Sequence, residues 1–100
     1  MNRKKALVLL NEAAGRKKGS KNVLLFLERV AKDGYEPLIY PIIPGTELTS
    51  ENIMAEYDGS VELVICIGGD GTLNHVINAA MNMQKKPCIG YIPTGSTNDL

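Results

Sequence analysis

The chain has 100 residues, 44% of them apolar and 22% charged, a globular balance with room for one domain and a modest core. Its formal net charge of +0 gives no reason to expect a polyanion, so nucleic acid is not among the expected partners. No apolar run approaches the length of a transmembrane helix.

Charge is unevenly placed. Arg3, Lys4, Lys5, Arg16, Lys17, Lys18 and Lys21 face only Glu12 among the acids of the first 21 residues. A basic segment of this kind suits phosphates or an anionic membrane surface, although a solvated lysine-rich surface has the same composition. Met1 to Leu10 imitates a signal peptide, but its apolar stretch is short and runs into Asn11 and Glu12. Ala6 to Leu10 therefore reads as a first strand, unbroken and aliphatic as in a sheet covered on both faces. From Ser20 to Lys32, Val23, Leu24, Leu27, Val30 and Ala31 recur at helical spacing, and Gly34 supplies the stop. Tyr35 to Ile42 is a second strand, placed at or near an edge by Pro37 and Pro41. Thr49 to Tyr57 is a short helix, and Val61 to Ile67 a third strand. Leu73, Val76, Ile77, Ala80 and Met81 make the next helix amphipathic. Cys88 to Ile92 is a fourth strand. Cys66 and Cys88, each inside an apolar run without metal-ligand spacing, are expected as buried free thiols of a cytoplasmic protein.

Alternation of strand and helix predicts a doubly wound parallel α/β sheet with right-handed crossovers and three α/β/α layers. Ligands of such sheets bind beyond the carboxyl ends of the strands. The informative loops are therefore Asn11 to Lys18, Gly68 to Thr72 and Thr94 to Asp99. The last of these prepares a helix, with Asn98 or Asp99 as a cap, yet only Leu100 follows. Residues 1–100 are thus expected to be one α/β domain and a fragment of a longer protein.

Gly68-Gly69-Asp70-Gly71-Thr72 carries the strongest chemical signal, lying directly between a strand and a helix. Glycines allow unusual backbone conformations and close approach of a phosphate. Free amides at a helix start then bind an anion, with the Thr72 hydroxyl as a further donor. Asp70 would repel phosphate directly. It fits instead a magnesium-linked water, a sugar hydroxyl, or a proton taken from an attacking alcohol. The plain alternative is a tight turn with Asp70 acting as a cap. Asn74 stands where a dinucleotide fingerprint needs its third glycine, and the lysines of Gly15-Arg16-Lys17-Lys18-Gly19-Ser20 fall on the wrong side of the second glycine for a P-loop. Pro93-Thr94-Gly95-Ser96-Thr97-Asn98-Asp99 is common turn chemistry alone, but it lies one strand along at the same sheet edge.

Gly68 through Asn74, followed by Pro93, Gly95, Asn98 and Asp99 at their spacing, resembles the catalytic-domain signature of diacylglycerol kinases and bacterial lipid kinases. Sphingosine and ceramide kinases share a related pattern. The resemblance covers essentially the whole chain and implies the N-terminal domain of the NAD kinase/diacylglycerol kinase-like fold, completed elsewhere by a β-rich domain. It implies that Gly68, Gly69, Asp70, Gly71, Thr72, Leu73 and Asn74 bind ATP phosphates. It extends the nucleotide site to Asn11, Glu12, Ala13, Ala14 and Gly15, and to Thr94 and Asp99. Asp70 would be catalytic through Mg2+ and water, while the base and a further magnesium site would lie beyond the chain. The chain departs from the family at Glu12, where proline is usual, at Ile42, where threonine often ends the second strand, and at His75, where glutamate is common.

Three functions are consistent with this pattern. The first is a lipid kinase transferring the γ-phosphoryl of ATP to a lipid hydroxyl, working at a membrane surface in the cytoplasm. The second is an NAD kinase, disfavoured by Asn98-Asp99. The third is a non-catalytic nucleotide- or anion-binding module. Which lipid is used stays open, and so does homodimer formation.

Overall fold

A computed structural model describes residues 3–11 and 20–93. Its elements are β1 (Lys4–Asn11), α1 (Ser20–Lys32), β2 (Tyr35–Ile42), α2 (Ser50–Glu56), β3 (Leu63–Gly68), α3 (Asp70–Met81) and β4 (Cys88–Pro93). All strand pairs are parallel, in the order β2-β1-β3-β4. Every expected element is present, and β2 lies at the edge to which its prolines assigned it.

The aliphatic runs are explained by two cores on opposite faces. Strand side chains alternate between faces. Leu7, Leu9, Val64 and Cys66 join Ile53 and Met54 of α2 and Val76, Ala79 and Ala80 of α3. Ala6, Val8, Ile65 and Ile67 join Val30, with Val23, Phe26 and Leu27 of α1 packed against them. Each fully buried Leu, Ile or Val contributes about 1.5–3 kcal/mol relative to exposure. Such a strand needs no polar alternation, and the result is the expected three-layer α/β/α domain.

Helix registers differ slightly from the sequence reading. The inward stripe of α1 is Val23, Phe26, Leu27 and Val30, which leaves Leu24 60% exposed and Ala31 at the surface. In α3 the stripe runs through Leu73, Val76 and Ala80, so Ile77 and Met81, each one residue further round, face outward. Gly34 ends α1 with φ 97°, a conformation that side-chain-bearing residues rarely adopt.

The cysteines also separate. Cys66 is fully buried, and that burial pushes its thiol up to about 11. Cys88 is exposed, contrary to expectation. It opens β4 opposite Leu63, on the α1 side of the sheet, where no described element covers it.

At the amino ends of the strands the protein satisfies its own polar groups. Asp58 accepts from the Gln84 and Lys85 amides at 2.9 and 3.3 Å, and the Cys88 amide donates to the Glu62 carbonyl at 2.9 Å. On the α2 side, Tyr57 meets Tyr40 of β2 edge to face at 5.8 Å, with their hydroxyls hydrogen-bonded. That bond, with burial, raises the Tyr57 phenol to about 12.

Candidate functional site

The chain order reverses between β1 and β3: α1 leads to β2 on one side, while α3 leads to β4 on the other. At such a switch point the connections diverge and leave a crevice beyond the strand ends. Asn11 closes β1 and Gly68 closes β3 at that crevice. Asn11 Nδ2 donates to Thr72 Oγ1 at 3.0 Å, joining the end of β1 to the first turn of α3. With its oxygen accepting from Asn11, the Thr72 hydroxyl still has its own proton to donate.

Gly68 is what allows this approach. A Cβ there would lie 2.9 Å from Asn11 Cβ and 3.1 Å from Thr72 Oγ1, closer than packed atoms tolerate. Gly69 and Gly71 differ, since a Cβ on either would have nothing within 4 Å. None of the three has positive φ. The sequence reading expected unusual conformation and close approach of a phosphate at these glycines. The conformations are ordinary; Gly68 instead admits the side chains of Asn11 and Thr72, and at Gly69 and Gly71 the missing side chain leaves open space over the turn.

The start of α3 is itself open. Gly69 occupies the N-cap position in extended conformation, and no side chain caps the helix. The first helical bond runs from the Leu73 amide to the Gly69 carbonyl at 3.1 Å, behind the amides of Asp70, Gly71 and Thr72. These donors and the positive end of the helix dipole face the crevice, the arrangement that binds phosphate and carboxylate oxygens. Asp70 is the first residue of the helix, so it is not the cap that the plain reading required. Its Oδ1 accepts from the Tyr91 hydroxyl at 3.1 Å. Burial, then the bond to Asp70, holds the Tyr91 phenol above its ordinary range.

Beside this turn lies a groove of about 260 Å³, lined by Asn11, Ile42, Pro44, Thr49, Ser50, Glu51, Thr72 and His75. Ile42 and Pro44 form its apolar side. Across it, His75 Nδ1 and Glu51 Oε2 meet at 3.0 Å and join α3 to α2. The Ser50 hydroxyl, at 2% exposure, has no hydrogen-bond partner among the described residues. A buried polar atom of this kind favours a ligand that can hydrogen-bond to it.

The sequence model of the diacylglycerol kinase catalytic domain matches residues 5–100. The chain belongs to this family. Among similar proteins, the diacylglycerol kinase of Bacillus subtilis (strain 168) is 32% identical over 99 residues, covering 96% of this chain and 31% of that protein. The diacylglycerol kinase of Staphylococcus carnosus (strain TM300) is 34% identical over 97 residues, covering 97% and 31%. A solved structure of a candidate diacylglycerol kinase from Bacillus anthracis str. Sterne superposes with TM-score 0.70 at 24% identity. It covers 99% of this chain and 35% of its own, and it establishes a shared fold. The chain therefore spans about a third of the length of the curated relatives it matches.

Within this family domain, Asn11, Gly68, Gly69, Asp70, Gly71 and Thr72 gather at one sheet edge, as expected from the sequence. Leu73 packs against the hydrophobic core, while Asn74 is exposed one position beyond it. Glu12, Ala13, Ala14, Gly15, Thr94 and Asp99 lie outside the described residues. Sequence reasoning missed Tyr91, Ser50 and the Glu51–His75 contact. Tyr91 shares the α3 face with the buried Cys66 because the two residues are in register, a pairing between strands that local pattern does not give. Ser50 and Glu51 gave no signal either, since their place depends on how α2 packs.

Proposed function

We propose that the full-length protein is a lipid kinase and that this chain supplies one wall of its ATP site. The observation that carries the reading is the uncapped start of α3, facing a crevice where Asn11 holds the Thr72 hydroxyl. In this reading the amides of Asp70, Gly71 and Thr72 and the Thr72 hydroxyl bind phosphate oxygens, and the open space over Gly69 and Gly71 lets them approach. Family membership favours a lipid hydroxyl as acceptor, with diacylglycerol first because the matched relatives carry that name.

No group of three or more His, Cys, Asp or Glu side chains able to hold a metal occurs among the described residues. A single exposed carboxylate suits magnesium brought in with the nucleotide, since this ion keeps most of its waters and takes one or two carboxylates plus phosphates. Asp70, exposed and hard in its donor chemistry, fits that place through a metal-bound water. When bound, the ion would neutralise phosphate charge. The chain's own residues orient the phosphates and supply donors where negative charge develops. No helix among the described residues is long and apolar enough to cross a membrane. In this proposal the protein meets its lipid at a membrane surface, with the basic residues near the N-terminus assisting.

The test is transfer of labelled γ-phosphate from Mg-ATP by the full-length protein, offered diacylglycerol, sphingosine, a mixed lipid extract and NAD in parallel. Label in diacylglycerol or another lipid is expected. Label in NAD would move the protein to the NAD kinases, and ATP binding without transfer would leave a binding module.

A further inference from the structure

Tyr91 belongs to neither glycine-bearing motif, yet it is the residue that touches Asp70. It lies in β4 in register with Cys66, and its ring packs against the core beneath α2 and α3. From there the hydroxyl reaches Asp70 Oδ1 at 3.1 Å. No other side chain among the described residues hydrogen-bonds to Asp70. Gly69 and Gly71 flank the aspartate and offer its side chain nothing to pack against.

An exposed carboxylate in the first turn of a helix has several accessible rotamers. Some of these fold it back onto the free amides of its own helix start, because such amides attract any nearby anion. A self-capped Asp70 would occupy the donors that the phosphates need. We propose that Tyr91 is a positioning residue that holds Asp70 by one oxygen, keeps it off the α3 amides and leaves the second oxygen for a metal-bound water. The ring, anchored in the core, fixes the donor, and the donor fixes the carboxylate. This inference rests on the nucleotide-site reading above and adds to it a residue on which that site depends.

The test is a double-mutant cycle in the full-length protein with wild type, Tyr91→Phe, Asp70→Ala and the double variant. Calorimetry reads the dissociation constants of Mg-ATP and of metal-free ATP, and a thermal melt checks each fold. Phenylalanine keeps the ring in the core and removes only the hydroxyl. Tyr91→Phe is expected to weaken Mg-ATP binding roughly three- to tenfold, the usual range for one hydrogen bond. It should change metal-free ATP binding less and have no further effect once Asp70 is alanine. An equal loss in both backgrounds would mean that Tyr91 acts through packing and would overturn the proposal, as would unchanged binding in Tyr91→Phe. If Asp70→Ala weakens Mg-ATP binding while Tyr91→Phe does not, only the positioning role falls. Absence of Mg-ATP binding in the wild type would remove the nucleotide site and this inference together.

Discussion

Two helices begin side by side on the same face of the sheet, and the protein treats their starts in opposite ways. At α2, Thr49 Oγ1 accepts from the Asn52 amide at 3.2 Å, and Asn52 Nδ2 donates to the Glu47 carbonyl at 3.2 Å. At α3 the capping position holds Gly69, which has no side chain to donate or accept, and the amides behind it have no side-chain cap. A side-chain cap contributes a few tenths of a kcal/mol over glycine, so omitting one gives up some stability that a serine or aspartate would supply. The capped helix start is structural, and the open one faces the crevice between β1 and β3. Donors left open at a switch point are available to a ligand.

That contrast can be broken at its functional end first. Asp70→Ala should reduce phosphoryl transfer by the full-length protein on the order of 100-fold or more, the usual scale for losing one electrostatic contributor to a transition state. The melting temperature should stay near wild type, because the side chain is exposed. Retained activity would remove Asp70 from the mechanism. Next in size is Gly68→Ala, whose methyl would press on Asn11 and Thr72. It should destabilise the fold by about 1–3 kcal/mol, measured by denaturant unfolding. Gly71→Ala, with open space around it, should leave stability within about 1 kcal/mol of wild type by the same measurement. Thr49→Ala removes the α2 cap and should cost about 0.5–2 kcal/mol of unfolding free energy. The smallest effect and the sharpest comparison come from Gly69→Ser. Gly69 sits at φ −95° and ψ −176°, extended backbone that serine adopts freely. The new hydroxyl should stabilise α3 by a few tenths of a kcal/mol. By occupying the open donors it should weaken ATP binding, so stability and affinity should move in opposite directions.

Much of this was legible in the sequence because the relevant signals are local. Both-face burial leaves continuous aliphatic runs, and those runs located β1, β3 and β4. Pro37 and Pro41 in a strand assign it to an edge, where β2 is found. The glycine-rich turn marks the α3 start. What stayed hidden depends on how elements pack. Ala31, Ile77 and Met81 satisfy helical spacing but sit just off the stripe that touches the sheet, and periodicity alone cannot set a stripe's centre to within one residue. Cys88 shares an apolar run with buried residues, and its exposure follows from where α1 stops covering the sheet. The groove behind Ser50, and Tyr91 reaching Asp70, are long-range contacts to which no motif points.

The central claim is that nucleotide binds at the open start of α3, on the face shared with α2. Amide hydrogen exchange of the full-length protein, with and without Mg-ATP, tests it most directly. Slowed exchange should appear in Gly69 through Leu73 and at the end of β1, while α1 on the opposite face should be unchanged. Protection centred on α1, or none at Gly69 through Leu73 at a concentration where ATP is bound, would contradict the account.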